Sequence, residues 1–88
     1  MAVGDRIKRV RNFRGMTMKE LGMAVGFDEK SADVRIAQYE NNSRKPKEEL
    51  MRKIAAALDV SVAYLEDPTM NDAEGILHAL FELDDQYP

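Results

Sequence analysis

Apolar residues recur at helical spacing along most of this chain, and the breaks between stripes fall where turn-forming residues stand. Val3, Ile7 and Val10 take the i, i+4 and i+7 positions of a first amphipathic helix, with Arg6, Lys8, Arg9 and Arg11 filling the gaps and Gly15 ending it. Thr17-Met18-Lys19-Glu20 then reads as a capping box, in which the Thr17 hydroxyl accepts from the Glu20 amide and the Glu20 carboxylate accepts from the Thr17 amide. The second helix it opens is short, about two turns, with Leu21, Ala24 and Val25 among its apolar positions and Gly26 as the left-handed residue that stops it. Phe27 re-enters the core, and residues 28 to 31 are polar and unpatterned.

A third helix is expected over residues 32 to 41, capped by Ser31, with Ile36 and Tyr39 facing inward. Residues 41 to 46 form a loop, in which Asn42 suits a left-handed conformation and Pro46 is preset for a following helix start. The clearest stripe of all is Leu50, Ile54 and Leu58, supported by Met51 and three alanines, with Glu48 and Glu49 in the first turn where acids favour the helix dipole. Ser61 caps a short fifth helix ending near Leu65, Pro68 marks a break, and Asn71 or Asp72 opens a last amphipathic segment with Ala73, Ile76, Leu77, Leu80 and Phe81 on one side. The expectation is an all-α domain over residues 1 to 67, followed by an acidic amphipathic segment over 68 to 88.

Composition narrows the function. Eighty-eight residues without cysteine make one small helical core and leave no room for a large enzyme pocket. The single His78, the lack of paired metal ligands and the lack of a glycine-rich phosphate loop leave no catalytic, metal or cofactor site to name. No apolar stretch reaches the length of a membrane span, and the absence of cysteine suits a reducing cytoplasm.

Charge is distributed unevenly. All thirteen Lys and Arg lie in residues 1 to 53 beside eight acids, a net charge of +5; the rest carries eight acids and no base, a net charge of −8. Such a split suits a polyanionic partner for the N-terminal part, and equally suits two differently charged solvated faces.

Gly4-Asp5-Arg6-Ile7, Arg14-Gly15-Met16-Thr17-Met18-Lys19-Glu20-Leu21, Gln38-Tyr39-Glu40, Pro46 and the run from Ile54 to Leu65 together resemble the phage-repressor-like (Xre) helix-turn-helix family over residues 4 to 66. The resemblance implies a compact five-helix, lambda-repressor-like domain that binds double-stranded DNA as a cytoplasmic transcriptional regulator of the repressor type, acting as a homodimer. It implies that the third helix reads base edges through Asp33, Val34, Arg35 and Gln38, with Ala37 and Asn41 beside them. Gln38 suits adenine and Val34 a thymine methyl, whereas Asp33 suits either a cytosine amine or a purely structural place at the helix start.

By the same resemblance Thr17, Lys19, Asn41, Asn42, Ser43, Arg44 and Lys45 grip the DNA backbone, and Arg11 and Glu40 form a structural ion pair between the first and third helices. Two departures stand out. The spacing from Gly26 to Ile36 is about four residues longer than the family's usual turn, so the extra residues either enlarge the turn or extend the third helix, and Met18 replaces a glutamine that contacts phosphate in many relatives. Ile76, Leu77, Leu80 and Phe81 exceed what a five-helix core needs; they fit packing back on the domain, a dimer contact, or the stump of a longer linker. A second functional reading is a protein-interaction module such as an antitoxin or adaptor, because Asp33, Val34 and Ala37 make the third helix's outer face weakly basic.

Overall fold

The computed structural model describes residues 2–66, in which the chain forms five helices and no strand. They are α1 (Val3–Phe13), α2 (Met18–Ala24), α3 (Ala32–Glu40), α4 (Glu48–Leu58) and α5 (Val62–Glu66). The last amphipathic segment, with Ile76, Leu77, Leu80 and Phe81, lies outside the described residues.

Local chemistry sets most of the helix ends. The Glu20 amide donates to Thr17 Oγ1 at 3.0 Å, and the Thr17 amide donates to Glu20 Oε1 at 2.9 Å, so the capping box is closed in both directions. These contacts hold the exposed Glu20 carboxyl below its ordinary range, the Thr17 amide being the larger cause and the Thr17 hydroxyl the second. Gly26 ends α2 at a φ of 98°, Asn42 follows α3 at 64°, and the Tyr64 amide donates to Ser61 Oγ at 3.1 Å to start α5.

Ser31 departs from the expected cap. It precedes α3 in a helical backbone conformation (φ −116°, ψ −6°), whereas an N-cap oxygen reaches the second or third helical amide only from an extended one. Its hydroxyl donates instead to the Asp28 carbonyl at 3.4 Å. Pro46 is also displaced: α4 starts at Glu48, so the buried proline sits outside the first helical position.

Ile7, Leu21, Ile36, Ile54, Leu58 and Leu65 are fully buried and join all five helices in one core, which Val10, Val25, Met51 and Tyr64 complete. Arg6 of α1 departs from the expected polar face, whereas Arg11 makes the inter-helix pair that the resemblance implies. Arg6 is only 1% exposed, with Nη1 donating to the Tyr64 carbonyl at 2.7 Å and its guanidinium 5.6 Å from the Tyr64 ring centroid, so it ties α1 to α5. Arg11 is buried against Glu40. Arg14 crosses to the end of α4, donating to the Leu58 and Asp59 carbonyls at 2.8 and 2.9 Å, which supplies partners to C-terminal groups the helix leaves open.

Candidate nucleic-acid interface

The inward side of α3 is made by Ala32, Ile36, Tyr39 and Glu40, all buried, and at 100° per residue this leaves Val34, Ala37, Gln38 and Asn41 grouped on the outward side. Val34 is 57% exposed, a large apolar side chain offered to the surroundings, while Gln38 and Ala37 are half-buried beside it. Asp33 flanks this face on the α1 side, exposed, with Oδ1 accepting from the Val34 amide at 2.8 Å.

Three contacts fix where this face points. Arg11 Nε donates to Glu40 Oε2 at 2.6 Å and Arg11 Nη2 to Glu40 Oε1 at 3.1 Å, a two-pronged bond between α1 and the last turn of α3. At the same end the Gly4 amide donates to Asn42 Oδ1 at 3.1 Å. A Cβ at Gly4 would lie 2.2 Å from the Tyr39 carbonyl oxygen, so only glycine lets the two backbones come this close. On the other side a Cβ at Gly22 would lie 2.7 Å from Ala32, the first residue of α3, so glycine permits a close approach of α2 as well.

The extra residues after Gly26 enlarge the turn and do not extend α3. Asp28 to Ser31 fold back on themselves through the Ser31 amide and the Asp28 carbonyl, and α3 starts only at Ala32. The larger turn and the Phe27 that precedes it both shape the outer surface. Glu29 reaches Lys19 at 2.9 Å, so the lysine expected to grip phosphate at the start of α2 carries an exposed ion-pair partner. Phe27 is also turned against α3, its ring stacked on Tyr39 with centroids 6.4 Å apart and with the Arg35 guanidinium 4.0 Å from its own centroid.

The expected phosphate-gripping residues fall on both borders of the α3 face. Met18, between Thr17 and Lys19, is half-buried against the core and lines a shallow depression with Lys8, Ala37 and Asn41. On the other border Asn41, Asn42, Ser43, Arg44 and Lys45 are exposed on a loop whose course is well braced: Asn41 Oδ1 accepts from the Ser43 amide at 2.8 Å, and the Arg44 amide donates to the Gln38 carbonyl at 3.1 Å. Arg35 neighbours Gln38 on the side of the face away from α1. One residue further round the helix than Val34, it also meets the loop border, where it lines a depression with Arg44 and Lys45.

The structure also adds Lys47 and Lys53 to that border, neither of which the sequence pattern singles out. The run Arg44-Lys45-Pro46-Lys47 was a visible signal for the first; nothing local marked the second. Among the described residues no cluster of His, Cys, Asp and Glu is arranged to hold a metal ion, and no helix is long and apolar enough to cross a membrane.

Comparison with known proteins agrees with this geometry. A family model described as helix-turn-helix matches residues 7–65. Among solved structures, the crystal structure of transcriptional regulator BswR is similar to this chain at 38% sequence identity and a TM-score of 0.78, over 91% of this chain and 76% of that one. No curated protein matches the chain. With a family match spanning all five helices from Ile7 to Leu65, and with the five-helix arrangement that the family implies, the chain belongs to the phage-repressor-like helix-turn-helix family.

Proposed function

We propose that this chain is a sequence-specific regulator of transcription that binds duplex DNA as a homodimer, inserts α3 into the major groove, and acts as a repressor. The observation that carries the reading is the outward face of α3. It presents Val34 and Gln38 between two polar borders, and it is held by the buried Arg11–Glu40 pair and by two glycine-permitted backbone approaches. Membership of the helix-turn-helix family supports DNA binding, and the likeness to a protein described as a transcriptional regulator supports regulation. The function is binding, not catalysis.

The roles divide by geometry. Gln38 offers a paired donor and acceptor to adenine N6 and N7, and Val34 offers a methyl contact to thymine. Asp33 is suited to hold the helix start through its own contact with the Val34 amide, with a cytosine amine as its possible base partner. Asn41 to Lys45 and the start of α2 at Thr17 and Lys19 supply backbone contacts, with Glu29 exchanged for phosphate at Lys19 when DNA arrives. Ile76, Leu77, Leu80 and Phe81, beyond the described residues, are the surface assigned to the dimer contact.

The test is selection of bound duplexes from a random pool, followed by affinities for the winners and for scrambled controls over a salt series. A palindromic winner preferred by more than about a hundredfold over scrambled DNA is the expected result. Weak, unselective binding that disappears near physiological salt would overturn the reading and favour a protein partner for the Asp33 and Val34 face.

A further inference from the structure

A cleft of about 540 Å³ opens beside the reading face, walled by the end of α2 with Gly26 and Phe27, by α3, by the loop after α3 and by the first turns of α4. Arg35, Arg44, Lys45, Lys47 and Lys53 line it against a single acid, Glu49, which lies 3.9 Å from Lys53. Among the described residues none of Arg35, Arg44, Lys45 and Lys47 is paired with a carboxylate. A surface depression with this balance is a seat for an anion.

One cation in it is ordered unlike the others. Arg35 lies 4.0 Å from the centroid of the Phe27 ring, and Phe27 is itself stacked at 20° on Tyr39, which is anchored in the core at 7% exposure. Arg35 thus rests on an aromatic pair whose inner member is anchored in the core, and it does so at the cleft wall. Among the described residues no carboxylate occupies its guanidinium, whose N–H groups can grip a phosphate two at a time. Lysines on flexible stems provide charge without that geometry.

We propose that this cleft is a phosphate seat for the DNA backbone, in which Arg35 is the two-pronged ligand, Phe27 is its positioning residue, and Lys45 and Lys47 supply flanking charge. The inference rests on the DNA-binding reading above and changes one role within it: Arg35 grips the strand bordering the groove and does not read a base. The duplex backbone is chosen over a free phosphate because the cleft adjoins the α3 face along the loop that carries Arg44 and Lys45.

The experiment compares wild type, Arg35→Ala, Arg35→Lys and Phe27→Leu on a selected duplex, its single-base variants and scrambled DNA over a salt series, with folding checked by thermal melts. Arg35→Ala is expected to weaken all duplexes alike, on the order of tenfold, to reduce the log–log salt slope by about 0.9, and to leave base preferences unchanged. Arg35→Lys and Phe27→Leu both keep the charge, so each is expected to lose several-fold in affinity while the slope stays near wild type. In a parallel arm at constant ionic strength, inorganic phosphate is expected not to raise the melting temperature of wild type.

Loss of preference at one base pair with an unchanged slope in Arg35→Ala would make Arg35 a base reader and overturn the proposal. So would normal duplex binding by Arg35→Ala. A melting temperature that rises with inorganic phosphate in wild type but not in Arg35→Ala, with duplex affinity untouched, would reassign the cleft to a free phosphate ligand. Failure of wild type to bind any duplex would instead overturn the DNA-binding reading itself, and this inference with it.

Discussion

Replacing Glu40 with alanine tests how much of the α3 orientation depends on one buried pair. The substitution removes both bonds from Arg11, at 2.6 and 3.1 Å, and leaves a guanidinium whose side chain is 10% exposed with only its Nη1 bond to the Met16 carbonyl at 2.8 Å. Breaking a buried pair from one side costs about 3–5 kcal/mol, because the remaining charge stays desolvated. The surviving Met16 bond and the short route to solvent place the expectation at the low end, about 3 kcal/mol. For a domain of this size that lowers the melting temperature by roughly 12–24 °C. The double variant Arg11→Met/Glu40→Leu removes both charges and fills the space, so its cost is expected to fall to about 1 kcal/mol, the remaining loss being the Met16 carbonyl's donor. Urea and thermal unfolding of both variants provide the comparison. A cost below about 1 kcal/mol for Glu40→Ala would put the pair in the class of surface bridges, and a double variant no better than the single one would show that packing, not charge, holds α3 against α1.

Three further predictions follow from local geometry. Gly4→Ala sets a methyl 2.2 Å from the Tyr39 carbonyl oxygen and 2.7 Å from that of Glu40, so α1 and α3 must separate; a loss of about 1–3 kcal/mol in urea unfolding is expected, and a neutral result would mean the helices part freely there. Asp59→Gly relieves a non-glycine residue at a φ of 60° after α4 and is expected to raise stability by up to about 1 kcal/mol, whereas a loss would show the aspartate side chain to be holding the turn. Glu20→Gln tests the capping box by pH. Because the folded-state pKa of Glu20 is lowered, the ionised carboxylate contributes stability above its unfolded-state pKa, and this is lost as pH falls through the lowered value. The variant's melting temperature is therefore expected to fall less steeply than that of wild type on the acid side, and parallel curves would refute the contribution.

What could be read from the sequence was what neighbouring residues decide among themselves. The Thr17 and Glu20 box, the left-handed Gly26 and Asn42, and the Ser61 cap each need only a few residues of chain, and each occurs as expected. Arg6 was misplaced on a polar face because periodicity registers residue type, while its partner is a carbonyl 58 residues away on α5. Ser31 was misjudged for the opposite reason: its residue type suits a cap, but its backbone conformation points the hydroxyl elsewhere. The Arg11–Glu40 pair was available only through family resemblance, since nothing within α1 or α3 singles out either member.

The hardest feature to foresee was the one that sets the surroundings of Arg35. Its neighbours in sequence, Asp33 and Val34, group it with the base-reading residues; its neighbours in space, Phe27 and Tyr39, group it with the cleft. Phe27 is placed by the end of α2, its amide donating to the Gly22 carbonyl at 2.9 Å, just before the enlarged turn that is the clearest departure from the family pattern in the sequence. A longer turn need not tilt the helix it precedes, because Gly22 and Gly4 still fix α3 closely against α2 and α1. The longer turn is therefore expressed at the border of the face, where its Glu29 carboxylate reaches Lys19 beside the Phe27 ring that carries Arg35.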